Sequence, residues 1–220
     1  MEVEYCEFPE NIYIDLNNDV WLSQVDSGRF KMGITTWFSF LAGRITKINL
    51  KTGLQSVKRE QSVGTIESSK YFGAIRSPVG ASVLGFNNEL SAHPSLLNES
   101  PYEKGWICEL TEVSENDLQQ LPLAKEAQAA IQRRIKELKV RCFKALPDEE
   151  LNAVGVECAA TLVNLNDLLS RARIGTVVHI VSDDPTSDLE ILRWSDQTGN
   201  EFLESRKEGN IYHFLVRKTK

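Results

Sequence analysis

The sequence predicts a chain of two domains: a β-rich domain, then a helical linker, then an α+β two-layer sandwich with the element order βαβαββ. Three observations carry this prediction. Before residue 114 the chain is dense in short strand-like runs separated by glycine and asparagine turns. The composition then changes to helix-forming residues, and after Pro147 apolar runs of strand and helix length alternate. The predicted parts are residues 1–113, the linker 114–146 and residues 147–220.

Length and charge limit the class of protein. A chain of 220 residues exceeds the common single-domain size, so two cores are expected. The formal net charge of -6 argues against nucleic acid as a main partner, because phosphate binding needs clustered lysine and arginine. No apolar run has the length of a membrane span, and the first four residues include two glutamates where a signal peptide would be basic. We therefore expect a cytoplasmic protein with no membrane partner.

The first domain contains one segment that stands out, a hairpin at 64–79. Other strand-like runs of this domain lie at 12–16, 20–25, 29–35, 43–50 and 107–110. In the hairpin, apolar residues flank the polar run Glu67-Ser68-Ser69, which cannot bury itself and therefore predicts a turn. Lys70 follows this run and is expected to be exposed at the tip. An exposed, unhindered amine of this kind is a good acceptor for amide formation.

The linker is predicted to contain two helices. Ser114, with Asp117 three residues later, is typical of a helix start, and Pro122 fits the first turn of a second helix. The apolar residues of that second helix recur at helical spacing: Leu123, Ala127, Ile131, Ile135, Leu138 and Cys142. The pattern is too short for a coiled coil, so we expect this helix to pack on its own domain.

The second domain alternates strands and helices. The predicted elements are a strand at 151–156, a helix at 160–172, a strand at 176–182, a helix after Asp184-Pro185, and strands at 201–206 and 211–217. This order predicts one sheet with two helices packed on it.

The four cysteines show no pairing pattern. They include no Cys-x-x-Cys pair and no metal-ligand spacing with the three histidines, so neither a disulfide framework nor a zinc site is expected. Cys108 and Cys142 fall in apolar patterns and are expected to be buried. Cys6, in an exposed amino-terminal stretch, could be reactive.

Motifs around the lysine hairpin resemble those of the lipoyl-carrying H protein of the glycine cleavage system. The matching features are Glu-Ser-x-Lys ending at Lys70, Ser-Pro-Val at 77–79, Asn-Glu-Ser-Pro-Tyr at 98–102 and Gly-Trp at 105–106. The resemblance covers about residues 8–110. It implies a β-rich lipoyl domain of the biotinyl/lipoyl hybrid-motif fold, with lipoate covalently attached to Lys70. It also implies that Glu67 is the residue recognised by the lipoate-attaching enzyme.

The second domain resembles a sulfur carrier of the TusA type in three regions, 152–158, 175–185 and 212–218. The cysteine of that family follows the first strand and opens the first helix, and Cys158 stands in that position. The resemblance implies a persulfide carrier, and a helix amino terminus would lower the thiol pKa. The family's Cys-Pro-x-Pro is Cys-Ala-Ala-Thr here, so the sulfurtransferase activity of Cys158 stays open, with a docking module as the alternative.

Two departures from glycine cleavage H proteins suggest a different partner. Asp19 stands where those proteins have a histidine that helps to shelter the aminomethylated arm, and Arg44 stands where they are acidic. This chain resembles the H-like lipoate-binding proteins that work beside heterodisulfide-reductase-like complexes in bacterial sulfur oxidation, which are lipoylated but do not serve glycine decarboxylation. The first hypothesis is thus a swinging-arm carrier in sulfur transfer. Its partners would be a sulfur donor protein, that complex and a dihydrolipoamide-dehydrogenase-like enzyme that reoxidises the arm.

Two alternatives stay open, of which the second belongs to another class of function. One is a divergent glycine cleavage H protein that moves an aminomethyl group between the glycine cleavage enzymes. The other is a regulatory or scaffolding fusion without lipoate. In each case we expect a protein that is not itself an enzyme, because the sequence offers no general base, oxyanion hole or nucleotide-binding loop.

Overall fold

The computed structural model describes residues 1–220 and divides into two compact units, 1–142 and 143–220. The predicted linker at 114–146 is not a separate body. Most of it belongs to the first unit, because Leu121, Ala124, Ile131 and Ile135 are buried in the core of that unit.

The first unit contains eleven strands and five short helices. The strands are β1 (Glu2–Val3), β2 (Cys6–Glu7), β3 (Tyr13–Asp15), β4 (Val20–Asp26), β5 (Arg29–Ile34), β6 (Ile45–Leu50), β7 (Ser56–Val57), β8 (Ser62–Ser68), β9 (Phe72–Arg76), β10 (Ala81–Phe86) and β11 (Cys108–Thr111). The helices are α1 (Thr36–Ala42), α2 (Glu89–Ala92), α3 (Leu96–Glu99), α4 (Glu115–Leu118) and α5 (Gln128–Leu138). The β-rich first domain that the sequence predicts is confirmed.

Three sheets build this unit. The largest has six strands in the order β3-β4-β5-β11-β10-β7, and its paired strands run antiparallel. A second sheet, of order β6-β8-β9, contains the lysine hairpin, and β1 pairs with β2 in a small amino-terminal hairpin. Their inner faces enclose a core whose largest buried side chains include Trp21 and Trp37. The small sheet that carries the lysine therefore shares the apolar core of the first unit.

Helix α1 connects the two larger sheets and ends beside the lysine hairpin. The Thr35 hydroxyl accepts from the Phe38 backbone N–H at 3.4 Å and caps the start of the helix. At its end Gly43 has φ +72°, a left-handed conformation that glycine adopts without strain. The Asn98 amide donates to the carbonyls of Ser39 and Gly43, and its oxygen accepts from the Ile45 N–H. Asn98 thus fixes the turn between α1 and β6.

The helix predicted from residue 123 to residue 142 is shorter in the structure, where α5 spans Gln128–Leu138. Residues 122–124 are extended instead: the Pro122 carbonyl accepts from the Ile14 N–H at 3.0 Å, and the Ala124 N–H donates to the Ile12 carbonyl at 2.8 Å. Pairing along β3 thus replaces the first turns that the helical spacing predicts. The short helix α4 begins at Ser114 as predicted, with the serine hydroxyl accepting from the Asp117 N–H.

The expectation of no disulfide is wrong. Cys6 in β2 and Cys142, after the end of α5, form a disulfide across a sequence separation of 136 residues. Cys6 is fully buried, not exposed and reactive as the sequence suggested, and Cys142 lies beyond the helix rather than on it. Such a distant pair leaves no local spacing signature, which is why the sequence did not indicate it. The bridge ties the amino-terminal hairpin to the chain that follows α5.

The second unit has the predicted βαβαββ order. Its elements are β12 (Glu149–Ala153), α6 (Cys158–Arg171), β13 (Val177–Ser182), α7 (Ser187–Thr198), β14 (Glu201–Glu208) and β15 (Ile211–Arg217). The sheet order is β12-β13-β15-β14, with β12 and β13 parallel and the other pairs antiparallel. Both helices pack on one face, where Leu165, Ile191 and Phe214 are among the buried residues. The predicted α+β sandwich is confirmed.

None of the seven helices of the chain is both long enough and apolar enough to cross a membrane.

Candidate functional site

Lys70 lies at the tip of the β8–β9 hairpin. The last paired residues are Glu67 and Phe72, so the lysine lies in the connection between the strands. The Ser68 hydroxyl accepts from the backbone N–H groups of Lys70 and Tyr71 at 3.1 and 3.0 Å and donates to the Ala42 carbonyl. This hydroxyl closes the turn and joins it to the end of α1. The lysine therefore has a fixed backbone but an exposed side chain.

The stem of Lys70 rests against Gly43. A Cβ added at Gly43 would lie 3.3 Å from the Lys70 Cδ, so a side chain at this position would crowd the lysine. The ammonium group makes no ion pair, and the pairing of β8 with both β6 and β9 holds the hairpin. The side-chain amine is therefore accessible and unhindered for attack on an activated acyl group.

A cleft of about 400 Å³ lies beside the hairpin in the first unit. Its apolar lining consists of Val20, Ile34, Phe38, Leu41, Tyr71, Ala74, Ile75 and Leu138, and its polar lining of Asn17, Asn18, Asp19, Arg76 and Arg134. The Tyr71 ring meets the Phe38 ring edge to face with centroids 5.1 Å apart. A Cβ at Gly73 would lie only 2.2 Å from the Tyr71 hydroxyl, so glycine at residue 73 makes room for this ring.

Asp19 is a buried carboxylate with both of its oxygens engaged in hydrogen bonds. It is 4% exposed, and its Oδ1 accepts from the Trp37 indole N–H at 2.8 Å and from the Arg134 Nε at 2.9 Å. Its Oδ2 accepts from the Arg134 Nη2 at 2.7 Å. Asp19 has φ +53°, a conformation that aspartate and asparagine tolerate better than most residues. The sequence singled out Asp19 but gave no sign of Arg134, which is 115 residues away.

Glu67 and Phe72 flank the lysine as a cross-strand pair. Both are exposed, and Phe72 is 71% exposed, an unusual position for a large aromatic side chain. The structure thus brings Glu67 close to Lys70 along the hairpin, as the resemblance implies. The aromatic neighbour was not expected from the sequence.

Cys158 is the first residue of α6, the position that the sequence predicts. Its backbone N–H donates to the Asp184 Oδ2 at 2.8 Å, and the Asp184 Oδ1 accepts from the N–H and hydroxyl of Thr186. The neighbouring Asp183 accepts from the Gly155 N–H. One carboxylate, that of Asp184, therefore binds the amino-terminal end of α6, and a second, that of Asp183, binds the turn before it.

The expectation that this helix end lowers the Cys158 thiol pKa is wrong. Burial, with the nearby carboxylates of Asp184 and Glu190, raises the pKa of the Cys158 thiol above its ordinary value. Hydrogen bonds to Ser187 and Thr186 oppose this change but do not outweigh it. The Asp184 carboxylate accepts from the Cys158 backbone N–H and places a negative charge beside the thiol. The resting thiol is therefore protonated at neutral pH, as is the buried Cys108 thiol, whose pKa burial raises to about 12.

The residues beside Lys70 fit a lipoyl arm. The arm joins a short apolar chain to a ring with two sulfur atoms, and the cleft offers an apolar wall next to the attachment residue. No three His, Cys, Asp or Glu side chains come together in a way that would hold a metal ion.

Comparison with known proteins agrees with this geometry. The family model described as glycine cleavage H-protein matches residues 12–134, and the model described as sulfurtransferase TusA matches residues 149–218. A probable glycine cleavage system H protein 2 of Sulfolobus acidocaldarius is 34% identical over 139 residues, covering 62% of this chain and 93% of the relative. A glycine cleavage system H protein 2 of Aquifex aeolicus is 32% identical over 142 residues, covering 64% of this chain and 88% of the relative.

A solved structure is also similar, that of a glycine cleavage system H protein from Mycobacterium marinum. It covers 56% of this chain and 98% of its own, with a TM-score of 0.48 and 20% identity. Proteins of the matched family carry lipoate on a lysine. Because the first family model spans more than half of the residues, this chain belongs to the glycine cleavage H-protein family and carries a TusA-type sulfur carrier domain after it.

Proposed function

We propose that this chain is a cytoplasmic lipoyl carrier with lipoate on Lys70, and that its cargo is sulfur rather than an aminomethyl group. The observation that carries the proposal is the exposed, unpaired Lys70 on a rigid hairpin beside a cleft in which Arg134 neutralises Asp19. When bound, lipoate supplies a dithiol and disulfide couple that exchanges with other thiols. The chain itself holds the attachment point and the cleft, so it acts as a carrier between enzymes.

The cleft supports a cargo other than an aminomethyl group. A cationic amine would be favoured by a free carboxylate or by a neutral imidazole acceptor. Asp19 offers neither, because both of its oxygens are engaged by Trp37 and Arg134. A glycine cleavage role remains the second candidate, supported by the names of the relatives.

The match of the carboxy-terminal unit to the TusA family supports a role in sulfur transfer. A sulfur donor and a dithiol acceptor in one chain have a raised effective concentration for each other. Cys158 enters the proposal as a persulfide acceptor whose thiol is protonated at rest, so transfer to it needs a partner that opens the site. The remaining proposed partners are a lipoate-attaching enzyme that recognises Glu67, a heterodisulfide-reductase-like complex and a dihydrolipoamide-dehydrogenase-like enzyme.

The lipoylation step is tested by co-expressing the full chain with a lipoate-attaching enzyme and measuring its intact mass. Wild type should gain one lipoyl group, and Lys70→Arg should gain none, because a guanidinium is not an amine nucleophile. Lys51→Arg, at another exposed lysine of the same unit, is the matched control and should be lipoylated like wild type. Lipoate on a different lysine, or none on wild type beside a lipoylated control protein, would refute the assignment.

The cargo is tested by reconstitution of the lipoylated chain with glycine cleavage enzymes. We expect turnover far below that of an authentic H protein. Turnover at a comparable rate would favour the second candidate.

A further inference from the structure

The polar rim of the cleft has unused hydrogen-bond donors on cationic side chains. Arg134 uses Nε and Nη2 on Asp19, and its Nη1 makes no hydrogen bond within the protein. The Arg134 side chain is 28% exposed, so this remaining N–H group is accessible from solvent. Asp19 raises the pKa of the Arg134 guanidinium further above its ordinary value, so the side chain is cationic throughout the biological pH range.

A second guanidinium lines the same cleft. Arg76, in β9, donates through Nη1 to the Glu60 carbonyl at 2.8 Å and makes no other hydrogen bond. It is exposed and keeps Nε and Nη2 for a ligand. Asn17 also lines the cleft; its backbone N–H donates to Asp15, but its side-chain amide makes no hydrogen bond within the protein.

The carboxylates near the rim are engaged in hydrogen bonds within the protein. Both oxygens of Asp19 accept from Trp37 or Arg134, as described above. Asp15 and Glu60 lie close by without lining the cleft, and both accept from the Asn18 amide. Among the lining residues, two guanidinium groups face one carboxylate. The rim therefore offers donors and positive charge, with little acceptor capacity for a cation.

We propose that this rim is a binding site for an oxyanion, and that Arg134 determines the charge of the cargo that the cleft accepts. The inference rests on the proposed lipoyl function and names the class of its cargo: a sulfur group, attached to the arm, that ends in an acidic oxygen such as a sulfinate, a sulfonate or a carboxylate. The apolar wall of Phe38, Leu41 and Tyr71 holds the carbon chain, and the planar Arg134 guanidinium faces the oxygens. Arg134 is thus a specificity-determining residue in a family whose cleft, by resemblance, otherwise shelters an amine.

The test adds free ligands to the full-length Lys70→Arg chain, so that it does not depend on lipoylation. Three derivatives of dihydrolipoamide have the same length and differ in charge: S-carboxymethyl (anionic), S-carbamoylmethyl (neutral) and S-aminoethyl (cationic). Binding is followed by the ¹H–¹⁵N resonance of the Trp37 indole, which donates to Asp19. The Trp194 indole, bonded to Asn166 in the second unit, is the internal reference.

We expect the anionic ligand to bind at least about tenfold more tightly than the cationic one, the effect of one charge-assisted hydrogen bond. Arg134→Lys should reduce this ratio while keeping a positive charge beside Asp19. Arg76→Gln, which leaves the Asp19 and Arg134 pair intact, should also reduce it. Arg133→Gln, an exposed neighbour on α5 that does not line the cleft, is the control and should leave the ratio unchanged.

Equal or tighter binding of the cationic ligand would overturn the inference, as would the absence of binding by all three ligands. If Arg133→Gln lowered the affinity ratio as much as the Arg134 and Arg76 substitutions do, general surface charge would explain the preference. That result would also overturn the inference. The two proposals fail separately: an unmodified Lys70 in the mass experiment refutes the lipoyl function, whereas the ligand ratio reports on the rim alone.

Discussion

Removing the disulfide between Cys6 and Cys142 should destabilise the first unit by an amount that follows from chain entropy. The bridge closes a loop across a sequence separation of 136 residues, for which the loop-closure relation gives about 5 kcal/mol as an upper value. Both cysteines are buried, so the free thiols of the reduced protein can stay in the core as small apolar groups. Most of the loss should therefore come from greater freedom of the unfolded chain.

The measurement is urea unfolding of the full chain, followed by tryptophan fluorescence and repeated with a thiol reductant. The variants are Cys6→Ala, Cys142→Ala and the double variant. Because either substitution removes the whole bridge, the single and double variants should lose similar amounts, and their effects should not add. Reductant should lower the midpoint of wild type and leave the variants unchanged.

Cys108→Ala is the matched control, because Cys108 is equally buried and has no disulfide partner. It should show only the loss of packing from one sulfur atom and no response to reductant. Additive losses in the single variants, or a wild-type midpoint that reductant does not change, would show that the bridge does not stabilise the first unit in this way. An intact mass that equals the sum of four free thiols under non-reducing conditions would refute the bridge directly.

Three further predictions concern the two sites. Asp19→Asn should keep the backbone at φ +53° and one acceptor for Trp37 but lose the ion pair with Arg134. The free energy of unfolding should fall by about 1–3 kcal/mol. Denaturant unfolding measures this loss, and an unchanged midpoint would contradict the prediction. Cys158 should react with iodoacetamide more slowly than an unfolded control peptide at neutral pH and more quickly as the pH rises, because its raised pKa leaves little thiolate. Faster reaction than the peptide at neutral pH would contradict this prediction, and Cys158→Ser identifies the signal. Asp184→Asn removes one of the carboxylates that raise the Cys158 pKa, so it should increase that alkylation rate at neutral pH, whereas Asp188→Asn on the same side of the unit should not.

The sequence predicted the parts of the fold that depend on local pattern. The lysine hairpin, the helix start at Ser114 and the six elements of the second unit lie close to their predicted residues. In these segments the apolar period, the turn residues and the capping residues agree, so tertiary contacts reinforce the local preference.

Long-range pairs account for what the sequence did not predict. The segment 122–124 has helical spacing, but pairing with Ile12 and Ile14 makes it extended. Asp19 and Arg134 are in contact although they are 115 residues apart in the sequence, and no local signal marks Arg134 as part of a site.

The pKa of Cys158 at the start of α6 also depends on residues that are distant in the sequence. A helix amino terminus alone favours a thiolate, and this was the basis of the prediction. The effect was reversed by a carboxylate from the chain between β13 and α7, which occupies the backbone N–H, and by burial of the thiol. Position along a helix can be predicted from the sequence, whereas the charges that other segments bring to it depend on the fold.

We propose that Lys70 carries a lipoyl arm loaded with sulfur, and the mass of the Lys70 peptide from protein isolated out of its own cells tests this directly. The protein should be quenched with a thiol-blocking reagent and digested without reductant. We predict lipoyl-Lys70 with a sulfur-containing adduct that a reductant removes. An unmodified Lys70 would contradict the lipoyl assignment, and a lipoyl group that carries only an aminomethyl adduct would contradict sulfur as the cargo.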